Sequence, residues 1–190
     1  MGIILLDMAM SLDGFAADEH GGSLYPVAQL QETGTLEELI EATGAVVMGR
    51  RAYEMANGDF TGYEYQVPIF VLTHQVPEVA AKGENGRLSF TFVTGGVEIA
   101  IEQARAVAGD KGITVIGGPR TFQQCIRARL VDQIQIRLMP ILLGTGLRLF
   151  EESGIEQFQL ERTQTVNLPT RTDIRFRILK HNSDSVLDEA

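Results

Sequence analysis

The stretch that most constrains this chain is Ile113–Gln124, reading ITVIGGPRTFQQ. Ile113–Ile116 is a short β-branched run suited to a buried strand. Gly117-Gly118 turns the chain with no side chain in the way. Pro119 then opens a helical pattern that places Phe122, Cys125, Ile126 and Leu130 on one face. A helix start has free N–H groups and the positive end of the helix dipole, and glycine lets an anion approach the backbone. The stretch therefore reads equally as the pyrophosphate seat of a dinucleotide or as an ordinary strand-to-helix turn.

The same unit recurs along the chain. Ile3–Met10 reads as a strand buried on both faces, which puts it at the centre of a sheet. Ser11–Gly14 is a turn, and the polar, glycine-rich residues 18–26 read as a mobile loop beside a site. Thr35–Thr43 is a short helix with a Thr35/Glu38 capping box, a buried face of Leu36, Leu39 and Ile40, and a stop at Gly44. Val27–Thr33 is an extra turn or a broken continuation. Ala45–Met48 is the next buried strand and runs into Gly49-Arg50-Arg51-Ala52-Tyr53-Glu54. Residues 57–67 and 77–86 are loops. Pro68–Leu72 and Leu88–Val93 are strands, and a helix with Val97, Ile101, Ala104 and Ala108 on its core face follows. Repetition of strand, short loop and helix predicts a mainly parallel sheet with helices on both faces. After Leu130 the pattern changes. Gln133–Met139, Phe158–Val166 and Asp173–Leu179 alternate or partly alternate, as half-exposed antiparallel strands at one end of the sheet do. The fold expected is α/β: a single three-layer domain over residues 1–180, with a mixed, mostly parallel central sheet and antiparallel C-terminal strands. Residues 181–190 read as a polar, disordered tail.

Composition narrows the function classes. The chain has 190 residues, a size that suits one sizeable domain, and a formal charge of −9 with no basic block of the kind a nucleic-acid binder shows. Cys125 is the one cysteine, so no intramolecular disulfide forms, and its place on an apolar helix face reads as a buried structural thiol. The N-terminal run lacks a basic segment and contains Asp7, unlike a signal peptide, and no apolar run reaches membrane-spanning length. A cytoplasmic location is expected. The P-loop pattern, HExxH, paired CxxC and GxSxG are all absent. Gly144-Thr145-Gly146 begins a GxGxxG, but Leu149 holds the third glycine position. His20, His74 and His181 are too scattered for a metal site, so none is expected.

In a parallel sheet the strand C-termini and helix N-termini gather on one edge, where ligands bind. Three junctions on that edge carry useful residues: Gly49-Arg50-Arg51, Thr73-His74, and Gly117-Gly118-Pro119-Arg120-Thr121. Each alone is a solvated turn. Together they suit a ligand with several phosphates, and NADPH, with a pyrophosphate and a 2′-phosphate, fits the inventory.

The ordered set SLDGFAA at 11–17, VVMGRRAYE at 46–54, IFVLTH at 69–74, VIGGPRTFQQCI at 115–126 and LVDQIQIRLMPILLGTGLRLF at 130–150 resembles the dihydrofolate reductase-like superfamily. The closer resemblance is to the bacterial branch similar to the C-terminal reductase domain of the bifunctional riboflavin-biosynthesis protein. It covers residues 2–180. The resemblance implies an NADPH-dependent oxidoreductase and a homodimer. It implies that Gly117 and Gly118 hold the pyrophosphate, with Pro119, Arg120 and Thr121 at that helix start. It implies that Gly49, Arg50 and Arg51 meet the phosphates of the adenosine half and Thr73 and His74 the 2′-phosphate. Ala9 and Ala16 would border the nicotinamide, and 140–146 would line the substrate end. Ala52 and His74 depart from the Thr and the Arg- or Lys-like cation usual in relatives. Of Glu32, Glu37 and Glu38, none stands where folate reductases place a carboxylate for the pterin.

Asp13 is the sequence candidate for an ionisable catalytic group near the nicotinamide end. Asp-Gly is also a common turn pair, and the turn role is the preferred one. Ser11 and Glu54 are weaker candidates, and Tyr53 and Phe15 read as packing residues. The leading function is reduction of a small, unidentified heterocyclic or carbonyl-like substrate. A riboflavin-pathway ribosylamino-pyrimidine phosphate is one alternative, with Arg148 as the evident cation for its phosphate. A non-catalytic nucleotide-binding dimer is the other.

Overall fold

Apolar β-branched runs at the expected places form one eight-stranded sheet. In the computed structural model, which describes residues 2–22, 24, 35–78, 81–150 and 158–179, its order is β5-β4-β3-β6-β1-β7-β10-β9. The strands are β1 (Ile4–Ser11), β3 (Thr43–Gly49), β4 (Ile69–Leu72), β5 (Phe90–Val93), β6 (Gly112–Ile116), β7 (Gln133–Met139), β9 (Gln159–Asn167) and β10 (Thr172–Leu179). All neighbours from β5 to β7 are parallel, and β7–β10 and β10–β9 are antiparallel. β1 is central, as expected. β2 (Phe15–Ala17) and β8 (Leu147–Arg148) form a separate antiparallel pair.

Alternation along the central strands sends side chains to two cores. Ile4, Leu6, Ala45, Val47 and Phe70 face α3 (Val97–Ala108) and α4 (Pro119–Arg127), which bury Ile101, Ala104, Phe122, Cys125 and Ile126. Val46, Met48, Ile69 and Val71 face the other side, with Leu36 and Ile40 of α1 (Leu36–Ala42) and Tyr53 of α2 (Arg50–Met55). This gives the three-layer α/β fold with helices on both faces. Each Leu, Ile or Phe sealed in this way stabilises by about 1.5–3 kcal/mol. Cys125 is fully buried, and burial pushes its thiol up to about 12, which suits a structural role. α4 ends where Arg129 turns left-handed, with φ 53°, so that the N–H of Leu130 reaches the Cys125 carbonyl at 3.1 Å.

Several local expectations change. Thr35 precedes α1 but makes no side-chain cap; its hydroxyl donates instead to Asp173 Oδ2 at 3.0 Å. Gly44 does not stop the helix, because Thr43 already begins β3. The strand expected from Leu88 starts at Phe90, and the strand expected from Phe158 starts at Gln159. The largest correction concerns β7. Its polar residues Gln135 and Arg137 are 1% and 5% exposed, so this strand is covered on both sides. Val27–Thr33 and the tail at 181–190 lie outside the described residues.

Candidate functional site

The polar face of β7 has a partner surface. Asp7 pairs with Gln135 in register, Ala9 with Arg137, and on β10 Asp173 pairs with Arg137 and Arg175 with Gln135. All of these lie on the face that α1 and α2 cover. Arg137 donates to Asp7 Oδ1 at 2.9 Å and Oδ2 at 2.6 Å, a bidentate pair. Gln135 Nε2 donates to Asp7 Oδ1 at 3.3 Å and to Thr35 Oγ1 at 3.3 Å, while its carbonyl accepts from Arg175 at 2.8 and 2.9 Å. Asp173 accepts from Arg171 Nε at 2.7 Å. Buried charge is tolerated here because each group has a hydrogen-bonded partner.

Above this floor opens a cavity of about 410 Å³. Asp7 and Arg137 form part of its wall. Gly21, Gly22 and Leu24 close one side, Tyr63, Glu64 and Tyr65 another, and Leu36 and Met55 contribute from α1 and α2. The segment at Gly21 and Gly22 is held by Asp18, whose Oδ1 accepts the N–H groups of His20 at 2.9 Å and Gly22 at 2.8 Å. The described part of this loop thus stands beside the cavity; residues 23, 25 and 26 lie outside the described set.

Of the residues expected to hold a cofactor, Ala9, Ala16, Arg51, Gly117, Gly118 and Pro119 line this cavity. Gly118 is the N-cap of α4 and no side chain caps that helix. Pro119 lacks an N–H, so the free donors of the first turn are those of Arg120 and Thr121. That arrangement fits an anion. The other expected residues lie around these, outside the cavity lining. Gly49 donates its N–H to the Gly117 carbonyl at 3.3 Å, and a Cβ on Gly49 would stand 2.7 Å from Thr121 Oγ1. Arg50 Nη1 donates to Thr73 Oγ1 at 3.2 Å and to the Gln75 carbonyl at 2.6 Å, and its Nε pairs with Glu54 at 2.7 Å. The Gly49–Arg51 junction is therefore bonded to each of the other two. His74 and Arg120 are exposed.

Asp13 sits apart from the cavity. Its carboxylate accepts from Ser11 Oγ at 2.6 Å, from the N–H of Leu143 at 3.1 Å and from that of Gly144 at 2.7 Å. The Ser11 hydroxyl first, then the Gly144 N–H, holds it down to about 2. These contacts fit a turn and a clasp on 140–146 better than proton donation. From that end of the chain the cavity takes Leu147 rather than 140–146. Arg148 is exposed, with its guanidinium carbon 4.6 Å from the centre of the Phe15 ring. Glu38 pairs with Arg175 at 3.2 Å, away from the cavity wall, and Glu32 lies outside the described residues.

Sequence reasoning missed Asp7, Arg137, Tyr63, Glu64 and Tyr65. Charges inside the strand runs at 7 and 137 were the available signal, since a strand charge needs a partner when both faces are covered. The loop 57–67 has no periodicity and offered none.

Comparison with known proteins agrees with this architecture. The sequence matches the RibD C-terminal domain family over residues 3–172. Uncharacterized protein YwjB of Bacillus subtilis (strain 168) is 24% identical over 150 residues, which are 78% of this chain and 82% of that protein. A putative riboflavin biosynthesis protein from Shewanella sp. PV-4 superposes with a TM-score of 0.73 at 24% identity, covering 94% of this chain and 99% of that one. Dihydrofolate reductase from Enterococcus faecalis, solved with NADP(H) and RAB-propyl, superposes with a TM-score of 0.64 at 18% identity, covering 94% and 98%. Among the described residues no helix is long and apolar enough to cross a membrane, and no group of three or more His, Cys, Asp or Glu could hold a metal ion.

Proposed function

Because the chain belongs to the RibD C-terminal domain family, we propose that it is a reductase that takes NADPH as hydride donor and a small heterocyclic or carbonyl compound as acceptor. The observation that carries the reading is the meeting, in one cavity wall, of the uncapped glycine start of α4 with Ala9, Ala16 and Arg51. In this reading Gly117, Gly118 and the N–H groups of Arg120 and Thr121 hold the pyrophosphate. Arg51, with Gly49 and Arg50, meets the phosphates of the adenosine half, and Thr73 and His74 flank the 2′-phosphate. Ala9 and Ala16 leave room for the nicotinamide ring. When bound, NADPH supplies the hydride. The protein supplies position, a largely apolar cavity, and a proton.

The family makes the ribosylamino-pyrimidine phosphate of the riboflavin pathway the first acceptor to test. Its phosphate needs a cation at the substrate end. Arg148 lies over Phe15 rather than in the cavity wall, and Arg137 already pairs with Asp7. An acceptor without a phosphate therefore suits this cavity better.

Calorimetric titration with NADPH and, in parallel, NADH tests the cofactor assignment. Micromolar binding of NADPH and much weaker binding of NADH are expected. Arg51→Ala should raise the NADPH Kd about tenfold, which is ~1.4 kcal/mol. No binding of either nucleotide would overturn the reading and favour a non-catalytic protein that keeps the fold.

A further inference from the structure

A reductase of this kind needs a proton as well as a hydride, and few groups in the cavity can give one. Two carboxyl groups stand in its wall, Asp7 and Glu64. Asp7 accepts two hydrogen bonds from Arg137 and one from Gln135, so both of its oxygens are committed. Glu64 is different. Among the described residues no salt bridge reaches it, and only its own backbone N–H and the Arg137 charge favour its ionised form. The groups that face it are Arg137 from β7, Asp7 from β1, and Tyr63 and Tyr65 from its own loop. Burial pushes its carboxyl up, and the Asp7 charge works in the same direction against Arg137. The Tyr65 hydroxyl is sealed from solvent and has no hydrogen-bond partner among the described residues, and burial raises it so far that it keeps its proton.

We propose that Glu64 is the catalytic acid of this cavity, the donor of the proton that accompanies reduction of an unphosphorylated C=N or C=O acceptor. The assignment rests on the reductase reading above. As the acceptor carbon receives hydride, the π electron pair of the C=N or C=O bond moves to the nitrogen or oxygen. The O–H bond of Glu64 breaks and a new N–H or O–H bond forms on that heteroatom. Glu64 is left as a carboxylate and recovers a proton from water. Its place in a loop beside the floor, rather than on α1, explains why no carboxylate of the first helix is needed in the wall.

The test has two readouts. Protein labelled with [13C-carboxyl]glutamate is titrated by NMR, free and with NADPH, and Glu64→Gln identifies the Glu64 signal. Glu64 should titrate clearly above the ordinary glutamate value of about 4.3. Titration at or below that value overturns the proposal. Turnover is then measured with whichever pterin, flavin, quinone or carbonyl compound oxidises NADPH. Glu64→Gln should lower kcat about 100-fold, leave the NADPH Kd unchanged, and abolish the alkaline fall of the kcat profile, while Glu64→Asp restores part of the rate. An unchanged kcat in Glu64→Gln overturns the proposal too. Failure of NADPH to bind is a separate result: it removes the reductase reading, whereas the carboxyl titration needs no acceptor.

Discussion

Asp13 and Glu64 are both carboxylates on loops, and their surroundings give them opposite character. Asp13 gathers a hydroxyl and two backbone N–H groups, all of which stabilise the ionised form. Glu64 gathers buried surface and a neighbouring negative charge, which stabilise the protonated form. For Asp13 the consequence is a stability term with a definite sign. Its folded value of about 2 lies below that of the unfolded chain, so the folded state binds fewer protons in that range. The contribution is complete above about pH 4, the ordinary carboxylate value, and is lost as pH falls toward 2. Asp13→Asn is therefore expected to lower the Tm at pH 7, with the gap closing between pH 4 and 2. Thermal unfolding of both proteins across that range measures it. A gap independent of pH would show that the charge of Asp13 does not hold the 140–146 segment.

At the scale of elements, the junction from β6 to α4 shows what was legible and what was not. Strand, paired glycines and helix were all readable, because periodicity and Pro119 are local signals. The neighbour of Gly117 was not. Gly117 has φ 69°, and a Cβ there would lie 2.3 Å from the Ala52 Cβ of α2. Its lack of a side chain thus serves helix packing as well as ligand approach, and it pairs with the small residue at 52. Gly117→Ala should cost about 2–4 kcal/mol, from the left-handed backbone and the overpacking together. Ala52→Gly should restore only the overpacking share, a coupling of about 1–2 kcal/mol in a double-mutant cycle read by urea unfolding. Full additivity would mean that α2 moves aside freely. Thr35 gives the same lesson. Its sequence signature of a cap was correct in form, but Asp173 on β10 competes for the hydroxyl and wins.

At the scale of the molecule, the sheet was legible and the cavity floor was not. Parallel order follows from strand-to-helix repetition, but the pair Asp7–Arg137 joins residues 130 apart in sequence, and no local pattern specifies it. The alternation of β7 predicted a wet polar face; α1 and the 63–65 loop cover that face and turn it into a floor. The site is thus assembled from several strands, α1, α2, the α4 start and two loops, so a ligand seated there should stabilise the whole fold. Binding to the folded state alone adds about 2.7 kcal/mol at a ligand concentration of 100 Kd. For a chain of this size about 1 kcal/mol corresponds to ~2–4 °C. NADPH at that concentration should therefore raise the Tm by about 5–10 °C. At the same concentration Arg51→Ala, with Kd raised about tenfold, should show a rise smaller by ~3–5 °C, and NADH should do less than NADPH. Hydrogen exchange measured alongside should slow in β1 and at the start of α4, which both line the cavity, and not in the exposed β9 at the sheet edge. A Tm rise shared equally by NADH, or slowed exchange confined to β9, would place the nucleotide somewhere other than this cavity.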